Sequence, residues 1–371
     1  MAVTFDNILG QPHAKAFLNR AFVHRRISHA YLFVGAEGTG KAAMALEFAK
    51  ALLCTGTEKG SQPCQQCVDC RHIAELNHQN LVFWFPHPKS AKEADLQAVR
   101  ASMIEQPYAF KKPWPNAAIS IDTVRGLKRE LGLKSHQGRS RVIVITDAHC
   151  MTAEATNSLL KILEEPPEQT YFVLTSDRSD QLLPTVISRC QMLRFNQIGV
   201  ADLEDGLRVI DGHDDTLKRQ AARLANGSMR RALELLDEDM LALNGHAVEL
   251  MRATFKSPSQ SAIFALELAQ KYDKASIQQI LENLLLWLRD ALLILNLDAE
   301  QAKAHVTNEN EMETITRFVE RAPLFDFQQA IREIEISVEM INRYVQPGLV
   351  LTVMLNKLRQ FVQARSAQHA A

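Results

Sequence analysis

Short apolar runs alternate with helical patterns over the first half of the chain. The run Ala30–Val34 (Ala-Tyr-Leu-Phe-Val) is typical of a buried strand, and β-branched runs at 141–146 and 171–175 predict two more strands. Apolar residues at helical spacing predict helices at Lys41–Leu53 and 157–164. Strands that alternate with helices in this way predict a parallel sheet with helices on both faces.

The strand pattern ends after Phe195, and the remainder of the chain is predicted to be helical. Residues 200–236 are typical of short helices, whereas longer patterns begin near Ser257. The longer helices are predicted at 259–271, 275–297, Met312–Arg321, 326–344 and 347–365.

These patterns predict three domains. An α/β domain spans 1–196, a small helical domain spans 197–240, and a C-terminal helical bundle spans 241–371. Within the first domain, residues 85–118 carry prolines on both sides of a charged run and break the strand–helix alternation. This stretch is predicted to be an excursion from the core.

Composition supports a helical, soluble globular protein. Hydrophobic residues make up 46% and charged residues 23%, which excludes a disordered chain, a fibre and a collagen. Aromatic residues reach only 6%, and all-β chains need more aromatic strand residues and more turn glycines. The net charge of −1 provides no overall basic surface, so any contact with DNA must be local or shared with partners.

The chain carries no membrane or secretion signal that would place it outside the cytoplasm. Its longest apolar stretch, near residues 284–297, is broken by Arg289 and Asp290, and the N-terminus lacks a basic region followed by an apolar one. We therefore expect a cytoplasmic, reducing location. In such a location the six cysteines are expected to be metal ligands or buried thiols rather than disulfides.

A glycine-rich loop follows the first predicted strand and opens a helix. Its sequence, Gly35-Ala-Glu-Gly38-Thr-Gly40-Lys41-Ala42, fits the phosphate-loop pattern G-x-x-x-x-G-K-[ST] except at its last position. Backbone N–H groups and the helix N-terminus can cradle phosphate, and Lys41 would reach the outer phosphates. Ala42 lacks the hydroxyl that normally binds Mg²⁺. We interpret the loop as a degenerate phosphate loop rather than a chance glycine turn.

A second departure falls on the acidic site. A phosphate loop that supports hydrolysis needs one carboxylate for the metal and another group to polarise the attacking water. The strand at 141–146 runs into Thr146-Asp147-Ala148-His149, which offers one carboxylate. Asp147 can hold a metal or orient a water, but not both, so the acidic site is degenerate. The alternative is that Asp147 caps the following segment.

Four cysteines lie close together in the sequence: Cys54, Cys64, Cys67 and Cys70. Each C-x2-C step lets two thiolates face one ion, so the group predicts a closed, structural Zn²⁺ site. An iron–sulfur cluster and a set of free thiols are the alternatives. Cys150 and Cys190 are expected to be ordinary buried thiols, and His72 and His78 are spare ligands that we do not assign to the metal.

The motifs resemble those of the ATPase-like subunits of the bacterial DNA polymerase III clamp loader, in the AAA+ group. Besides the phosphate loop and the cysteines, the matching segments are Phe5-Asp-Asn-Ile-Leu-Gly10-Gln11, His29-Ala30-Tyr31-Leu32-Phe33, Ile119-Ser120-Ile121-Asp122, Asn157-Ser-Leu-Leu-Lys161-Ile-Leu163-Glu164-Glu165-Pro166-Pro167, Ser188-Arg189-Cys190 and Gly227-Ser228-Met229-Arg230. Together they cover about residues 3–235, with a gap at 85–118. Beyond about residue 241 only helical character and length agree.

The resemblance implies an architecture and a set of partners. The α/β domain would be an AAA+ phosphate-loop domain, 197–240 a helical lid, and 241–371 a collar-type oligomerisation domain. The implied partners are gamma/tau and delta subunits and, through the complex, the sliding clamp and primed DNA, with no membrane. Such a protein would be a component of DNA polymerase III holoenzyme, a DNA-directed DNA polymerase.

The departures distinguish subunit types within that family. Active gamma/tau-type subunits carry Ser or Thr after the loop lysine, where this chain has Ala42. They also carry an Asp-Glu pair that ends the next strand. Here that pair falls on Thr146-Asp147 when counted back from Asn157, or on Asp147-Ala148 when counted from the strand end, and either register leaves one acid missing. The chain therefore resembles the delta-prime type, and ATP with Mg²⁺ is not expected to bind productively. One alternative is an active gamma/tau-like ATPase that uses Lys41 and Asp147. A stand-alone DNA-binding AAA+ protein is the other, and the net charge of −1 argues against it.

The resemblance also implies roles for three residues outside the loop. Arg189 would be an arginine finger that acts on the ATP of a neighbouring subunit. Thr175 and Arg230 occupy the positions of the family's two sensor residues. The alternative for Arg189 is a surface ion pair.

Overall fold

The computed structural model describes residues 5–56, 62–110, 112–114, 117–132, 139–236, 238–298, 301–302, 306, 311–322 and 325–363. Contacts divide the chain into two compact units. The α/β unit comprises Met1–Gly212 with Ala225–Leu233, and the helical unit comprises His213–Leu224 with Glu234–Ala371. The three-domain division at 196 and 240 stays a prediction.

Strands and helices alternate through the first half of the chain. In chain order the elements are α1 (Pro12–Val23), β1 (Ala30–Val34), α2 (Lys41–Leu53), α3 (Val68–Ala74), β2 (Leu81–Trp84), α4 (Glu93–Glu105), α5 (Ile121–Gly132), β3 (Arg141–Ile145), α6 (Ala153–Glu164), β4 (Thr170–Ser176), α7 (Pro184–Ile187), β5 (Gln191–Arg194) and α8 (Val200–Arg208). The later elements are α9 (Asp215–Leu224), α10 (Met229–Glu234), α11 (Glu238–Ala253), α12 (Pro258–Lys271), α13 (Lys274–Asn296), α14 (Met312–Arg321), α15 (Phe327–Asn342) and α16 (Pro347–Gln363).

The sheet of the α/β unit is parallel throughout, in the order β2-β3-β4-β1-β5. The predicted α/β fold with a parallel sheet is therefore confirmed. The prediction of three strands is incomplete, because β2 and β5 were missed. Both are four-residue edge strands. β5 (Gln-Met-Leu-Arg) lacks the continuous apolar run of the central strands, whereas β2 (Leu-Val-Phe-Trp) has a short apolar run that lies directly before the proline-containing stretch.

Helices cover both faces of the sheet, because successive side chains of a strand point to opposite faces. On one face Tyr31 and Phe33 belong to a cluster with α1 and α2, in which Phe48 lies 5.2 Å from the Tyr31 ring. On the other face Leu32 of the same strand packs with residues of α5 and α6. At the end of β1, a Cβ on Gly35 would lie 2.3 Å from the carbonyl oxygen of Phe195, so only glycine fits.

The stretch 85–118 is not the excursion from the core that the sequence predicts. It contains α4, whose Val99 and Met103 are buried in the same core cluster as α2. Tyr108 and Phe110 also pack against that cluster. The prolines interrupt the strand–helix alternation without removing the stretch from the core. Of them, Pro115 lies outside the described residues.

The helical unit has a core of its own, in which Trp287 lies 5.1 Å from Phe318. The predicted long helices are present, and their ends differ from the prediction by no more than two residues. Residues 364–365 of the last prediction lie outside the described residues. The helix near Ser257 begins with a capping box, in which the Ser257 hydroxyl accepts from the Gln260 N–H and the Gln260 side chain accepts from Ser257. The sequence missed α11, which precedes this signal. Within the described part of the chain, no helix is long and apolar enough to span a membrane.

Candidate functional site

The phosphate loop lies at the carboxyl end of β1 and leads into α2 as the sequence predicts. Gly40 precedes the helix with φ of +90°, a left-handed conformation that favours glycine. The Lys41 ammonium donates to the carbonyl oxygens of Gly35 and Ala36 at 2.7 and 2.6 Å, so it is folded back onto its own loop. Burial lowers the pKa of Lys41, although nearby carboxylates oppose this shift. Ala42 adds only a methyl group at the next position.

Gln11 connects three parts of the site. Its buried side chain donates to the carbonyl oxygens of Thr39 and Asn196, at 3.2 and 2.6 Å, and accepts from the Asn196 N–H at 3.0 Å. These bonds link the segment before α1, the phosphate loop and the end of β5. The sequence shows the motif that contains Gln11, but only the folded structure shows which groups the Gln11 side chain bonds.

The acidic site forms where β3 and β4 end. Thr146 donates its hydroxyl to the carbonyl oxygen of Trp84 at 3.2 Å. The Asp147 N–H donates to the Thr175 hydroxyl at 3.3 Å. Asp147 precedes a short 3-10 turn, but its side chain makes no capping hydrogen bond, so the alternative capping role is wrong. Instead its carboxylate forms an ion pair with the ammonium of Lys112.

The fold adds a second carboxylate that the sequence analysis missed. Asp177 follows β4, and one ligand atom each from Asp147, His149 and Asp177 lie within 4.8 Å of one another. His149 Nδ1 lies 3.3 Å from the Asp177 carboxylate. The position of Asp177 just after a predicted strand could have indicated its role, because parallel strands end at the same edge of the sheet. The three groups are of types that can bind a divalent cation, and the Lys112 ammonium is already paired with one of them.

The two sensor-like residues lie beside this site. Thr175 is buried at the end of β4 and holds the backbone of Asp147, as described above. Arg230 forms an ion pair with Glu37 of the phosphate loop. The neighbouring N–H of Met229 donates to the carbonyl oxygen of Gly38 at 3.0 Å. The fold therefore brings Thr175 to Asp147 and Arg230 to the phosphate loop.

Arg189 follows the short helix α7 and makes contacts within its own chain. Its guanidinium forms an ion pair with Glu164 at 2.5 Å and donates to the carbonyl oxygen of Thr185 at 3.0 Å. Its side chain is 34% exposed. The surface ion pair considered as the alternative role is therefore present in the single chain.

The four cysteines Cys54, Cys64, Cys67 and Cys70 converge, with their sulfur atoms within 4.8 Å of one another. The sulfur of Cys54 lies 3.6 Å from that of Cys64 and 3.8 Å from that of Cys67. A tetrahedron with Zn–S bonds of about 2.3 Å has sulfur–sulfur edges of about 3.8 Å, whereas a disulfide needs about 2.05 Å. The geometry fits one tetrahedral ion and excludes disulfides.

Backbone N–H groups donate to the sulfur atoms of Cys54, Cys64 and Cys67, whereas burial raises the pKa of Cys70. Cys67 caps α3 and accepts from the Cys70 N–H at 3.4 Å, and Cys64 accepts from the Cys67 N–H at 3.2 Å. Burial raises the pKa of Cys67, but the hydrogen bonds outweigh it and lower the pKa to about 5. Deprotonated cysteine is the form that binds a metal.

Asp69 holds the cysteine loop against the sheet, a role that sequence reasoning missed. Its carboxylate accepts from Arg139 at 3.2 Å and lies 3.0 Å from His78 Nε2. Burial raises the pKa of Asp69, but hydrogen bonds led by Arg139 lower it to about 2. His78 therefore supports the loop from outside, and His72 is exposed and outside the cysteine cluster.

The remaining cysteines lie elsewhere in the fold. Cys150 and Cys190 are partly exposed rather than fully buried. Burial raises the pKa of both thiols, that of Cys190 to about 12. They are therefore protonated thiols with no part in the cysteine cluster.

Comparison with known proteins identifies the family. A family model described as DNA polymerase III, delta subunit, matches residues 10–199. The delta' subunit of DNA polymerase III from Bacillus subtilis is 33% identical over 289 residues, which cover 76% of this chain and 78% of that protein. The tau subunit from the same organism is 27% identical over 290 residues, and the chain spans only 45% of its length.

A solved structure, that of a DNA polymerase III gamma subunit-related protein from Thermotoga maritima, superposes with a TM-score of 0.42. It is 15% identical, and the match covers 93% of this chain and 99% of that one. The family model and the delta' relative both point to the clamp-loader subunits that the motifs resemble. The chain therefore belongs to the DNA polymerase III clamp-loader family, in the group described as DNA polymerase III, delta subunit.

Proposed function

We propose that this chain is a delta-prime-type clamp-loader subunit that does not hydrolyse ATP and helps load the sliding clamp onto primed DNA. Its partners would be gamma/tau and delta subunits. The observation that carries the proposal is the end of the phosphate loop, where Ala42 offers a methyl group in place of the hydroxyl that would bind Mg²⁺. The residue before Asp147 is Thr146, whose hydroxyl donates to the Trp84 carbonyl oxygen and supplies no second carboxylate, which supports the same conclusion.

A second candidate is an active gamma/tau-like ATPase. Asp177 favours it, because this carboxylate lies close enough to Asp147 to act with it on a metal and a water. Lys41 is also retained. The two candidates differ in whether the isolated chain turns over ATP.

The isolated chain should hydrolyse ATP no faster than its Lys41→Ala variant, with or without primed DNA. Without a loop hydroxyl the metal has no protein anchor in the loop. The measurement is steady-state phosphate release by the purified chain. ATP turnover that disappears in the Lys41→Ala variant would support the gamma/tau-like candidate instead.

We propose that Arg189 supplies the catalytic contribution of this subunit, as an arginine finger for the ATP of a neighbour. A guanidinium presents several donors in one plane and can neutralise charge on a transferring phosphate. In the single chain its partner Glu164 is itself 48% exposed. Exposed ion pairs contribute about 0–1 kcal/mol, so exchange of this carboxylate for a phosphate costs little.

Replacing Arg189 by Ala should lower the DNA- and clamp-stimulated ATPase of the reconstituted complex without disturbing its assembly. Fingers that act in trans contribute roughly 10³–10⁵ in rate at the site they serve. The loss in the whole complex should be partial, because other interfaces keep their own fingers. Lysine at this position should rescue poorly, since it lacks the planar fork.

The matched control is Arg208→Ala, which removes another exposed arginine from a 2.7 Å ion pair with Asp205. It should leave the ATPase of the complex unchanged. Wild-type ATPase and clamp loading in the Arg189→Ala complex would leave Arg189 with a structural role only.

We propose that Cys54, Cys64, Cys67 and Cys70 hold one structural zinc ion. The ion would fix the loop between α2 and α3. Four thiolates leave no open position for a substrate or a water, so the site would contribute to local folding rather than chemistry.

Replacing Cys67 by Ser should release the zinc and loosen the loop 54–70, while the parallel sheet survives. The measurements are metal content by mass spectrometry and proteolysis within the loop. Cys150→Ser is the control and should keep one zinc per chain. Iron in the wild-type protein would favour the alternative cluster, and full zinc content after Cys67→Ser would contradict the assignment.

We propose that the helical unit mediates assembly through an apolar face on α12 and α16. These helices touch where a Cβ on Gly348 would lie 3.0 Å from Leu266. Around that contact Ile263, Leu266, Leu349 and Val353 are exposed, although each is apolar. Adjacent exposed apolar side chains on two packed helices are typical of a protein interface.

The double variant Leu266→Glu/Leu349→Glu should fold but no longer co-purify with the other loader subunits. Charge at the centre of an apolar interface must be desolvated, which opposes association. The control is Val209→Glu, which places the same charge on a side chain that is 78% exposed in the α/β unit. Undiminished co-purification of the double variant would exclude this face.

A further inference from the structure

The segment that follows α4 covers the degenerate nucleotide site. We call residues 106–110 and 112–114 the occluding segment. In this segment the ring of Phe110 packs on Phe83 of β2, with the ring centroids 6.4 Å apart. Trp114 also packs against the core cluster that contains Phe83. These contacts anchor the segment to the sheet and fix where its other side chains lie.

Tyr108 lies against the phosphate loop. A Cβ on Gly40 would come 2.7 Å from Cε1 of the Tyr108 ring, so the ring lies directly on the last glycine of the loop. The Tyr108 hydroxyl accepts from the Leu9 N–H at 2.8 Å. Burial raises the pKa of Tyr108 to about 12, so the phenol is neutral in the physiological range. The ring therefore fills the space next to the loop, and the hydroxyl occupies one backbone N–H donor of the segment before α1.

Lys112 lies at the acidic side of the same site. Its ammonium forms the ion pair with Asp147, and both side chains are about one-fifth exposed, at 21% and 19%. The ammonium also lies 5.3 Å from the centre of the Phe110 ring, a favourable distance for a cation over an aromatic face. The site thus holds two cations, of which Lys112 pairs with Asp147 and Lys41 is hydrogen-bonded to its own loop.

We propose that Tyr108 and Lys112 prevent this phosphate loop from binding a nucleotide with Mg²⁺. The ammonium of Lys112 takes the place of a divalent cation at Asp147, and the ring of Tyr108 covers Gly40. This inference rests on the proposed non-hydrolysing role and names the residues that enforce it. This effect differs from the absence of a hydroxyl at position 42. There a metal ligand is missing, whereas here a part of the same chain fills the site.

A tethered ammonium competes well with a free ion. It is held beside Asp147 at an effective concentration of about millimolar or more, without a second binding event. A single-charged ammonium neutralises the carboxylate but offers no vacant coordination position for phosphate oxygens or water. Nucleotide would therefore have to displace both an ion pair and a packed ring.

The test measures nucleotide and metal binding by the full chain, not turnover. A fluorescent ATP analogue with Mg²⁺ is titrated against the wild type, the double variant Tyr108→Ala/Lys112→Ala and the control Lys89→Ala. Lys89 belongs to the same 85–118 stretch but pairs with the exposed Asp122 at 2.6 Å. If the occluding segment blocks the site for more than about nine-tenths of the time, the double variant should bind the ATP analogue at least about tenfold more tightly than the wild type. The Lys89→Ala variant should bind as the wild type does.

A milder variant keeps the test decisive if the double variant folds poorly. Lys112→Ala alone should create a Mn²⁺ site, detected by electron paramagnetic resonance, that is absent from the wild type. That site should vanish in Lys112→Ala/Asp147→Asn. Either of two results would overturn the inference. One is that the wild-type chain binds the analogue as tightly as the double variant does, and the other is that the Lys112→Ala chain has no Mn²⁺ site.

These outcomes are separable from those of the proposed function. Nucleotide bound without turnover by the wild-type chain would overturn the occlusion and leave the non-hydrolysing role intact. ATP turnover by the wild-type chain that depends on Lys41 would contradict both. Turnover that appears only in the double variant would support the occlusion and locate the block in the occluding segment.

Discussion

The in-register parallel pairing of β1, β3 and β4 is the constraint on which the nucleotide site depends. Parallel strands place their carboxyl ends at one edge, so the residues that follow each strand meet there without contact in sequence. The phosphate loop follows β1, Asp147 follows β3 and Asp177 follows β4. A shift of one residue in either pairing would move the side chains of a strand to the opposite face of the sheet and separate these groups. The apolar strands therefore hold the polar site together.

The sequence predicted the parts of this arrangement that depend on local pattern. Buried central strands are continuous apolar runs, and a phosphate loop between a strand and a helix has a fixed spacing, so β1, α2 and Lys41 were identified correctly. The cysteine positions were likewise found from spacing, and the fold brings the four sulfur atoms together as expected. The family resemblance gave the positions of Thr175 and Arg230, which the fold places beside the loop.

The remaining features arise from contacts between distant segments, which local pattern cannot show. Tyr108 meets Leu9 across about a hundred residues of chain, and Lys112 meets Asp147 across a strand and a helix. The edge strand β5 was missed because polar residues interrupt its apolar pattern, and β2 was missed because its short apolar run leads directly into Pro86 and Pro88. Prolines made the stretch 85–118 resemble a detached loop, although its apolar residues pack into the core.

The anchoring of Phe110 on Phe83 has a consequence for how this subunit could change over generations. Restoring a hydroxyl at position 42 would still leave the Tyr108 ring on Gly40 and the Lys112 ammonium on Asp147. Removing that segment to clear the site would strip aromatic packing from β2, so the same change would weaken the domain. Each of these changes is therefore insufficient alone, and several would have to occur together. Packing of the core thus opposes the changes that would clear the space beside the phosphate loop.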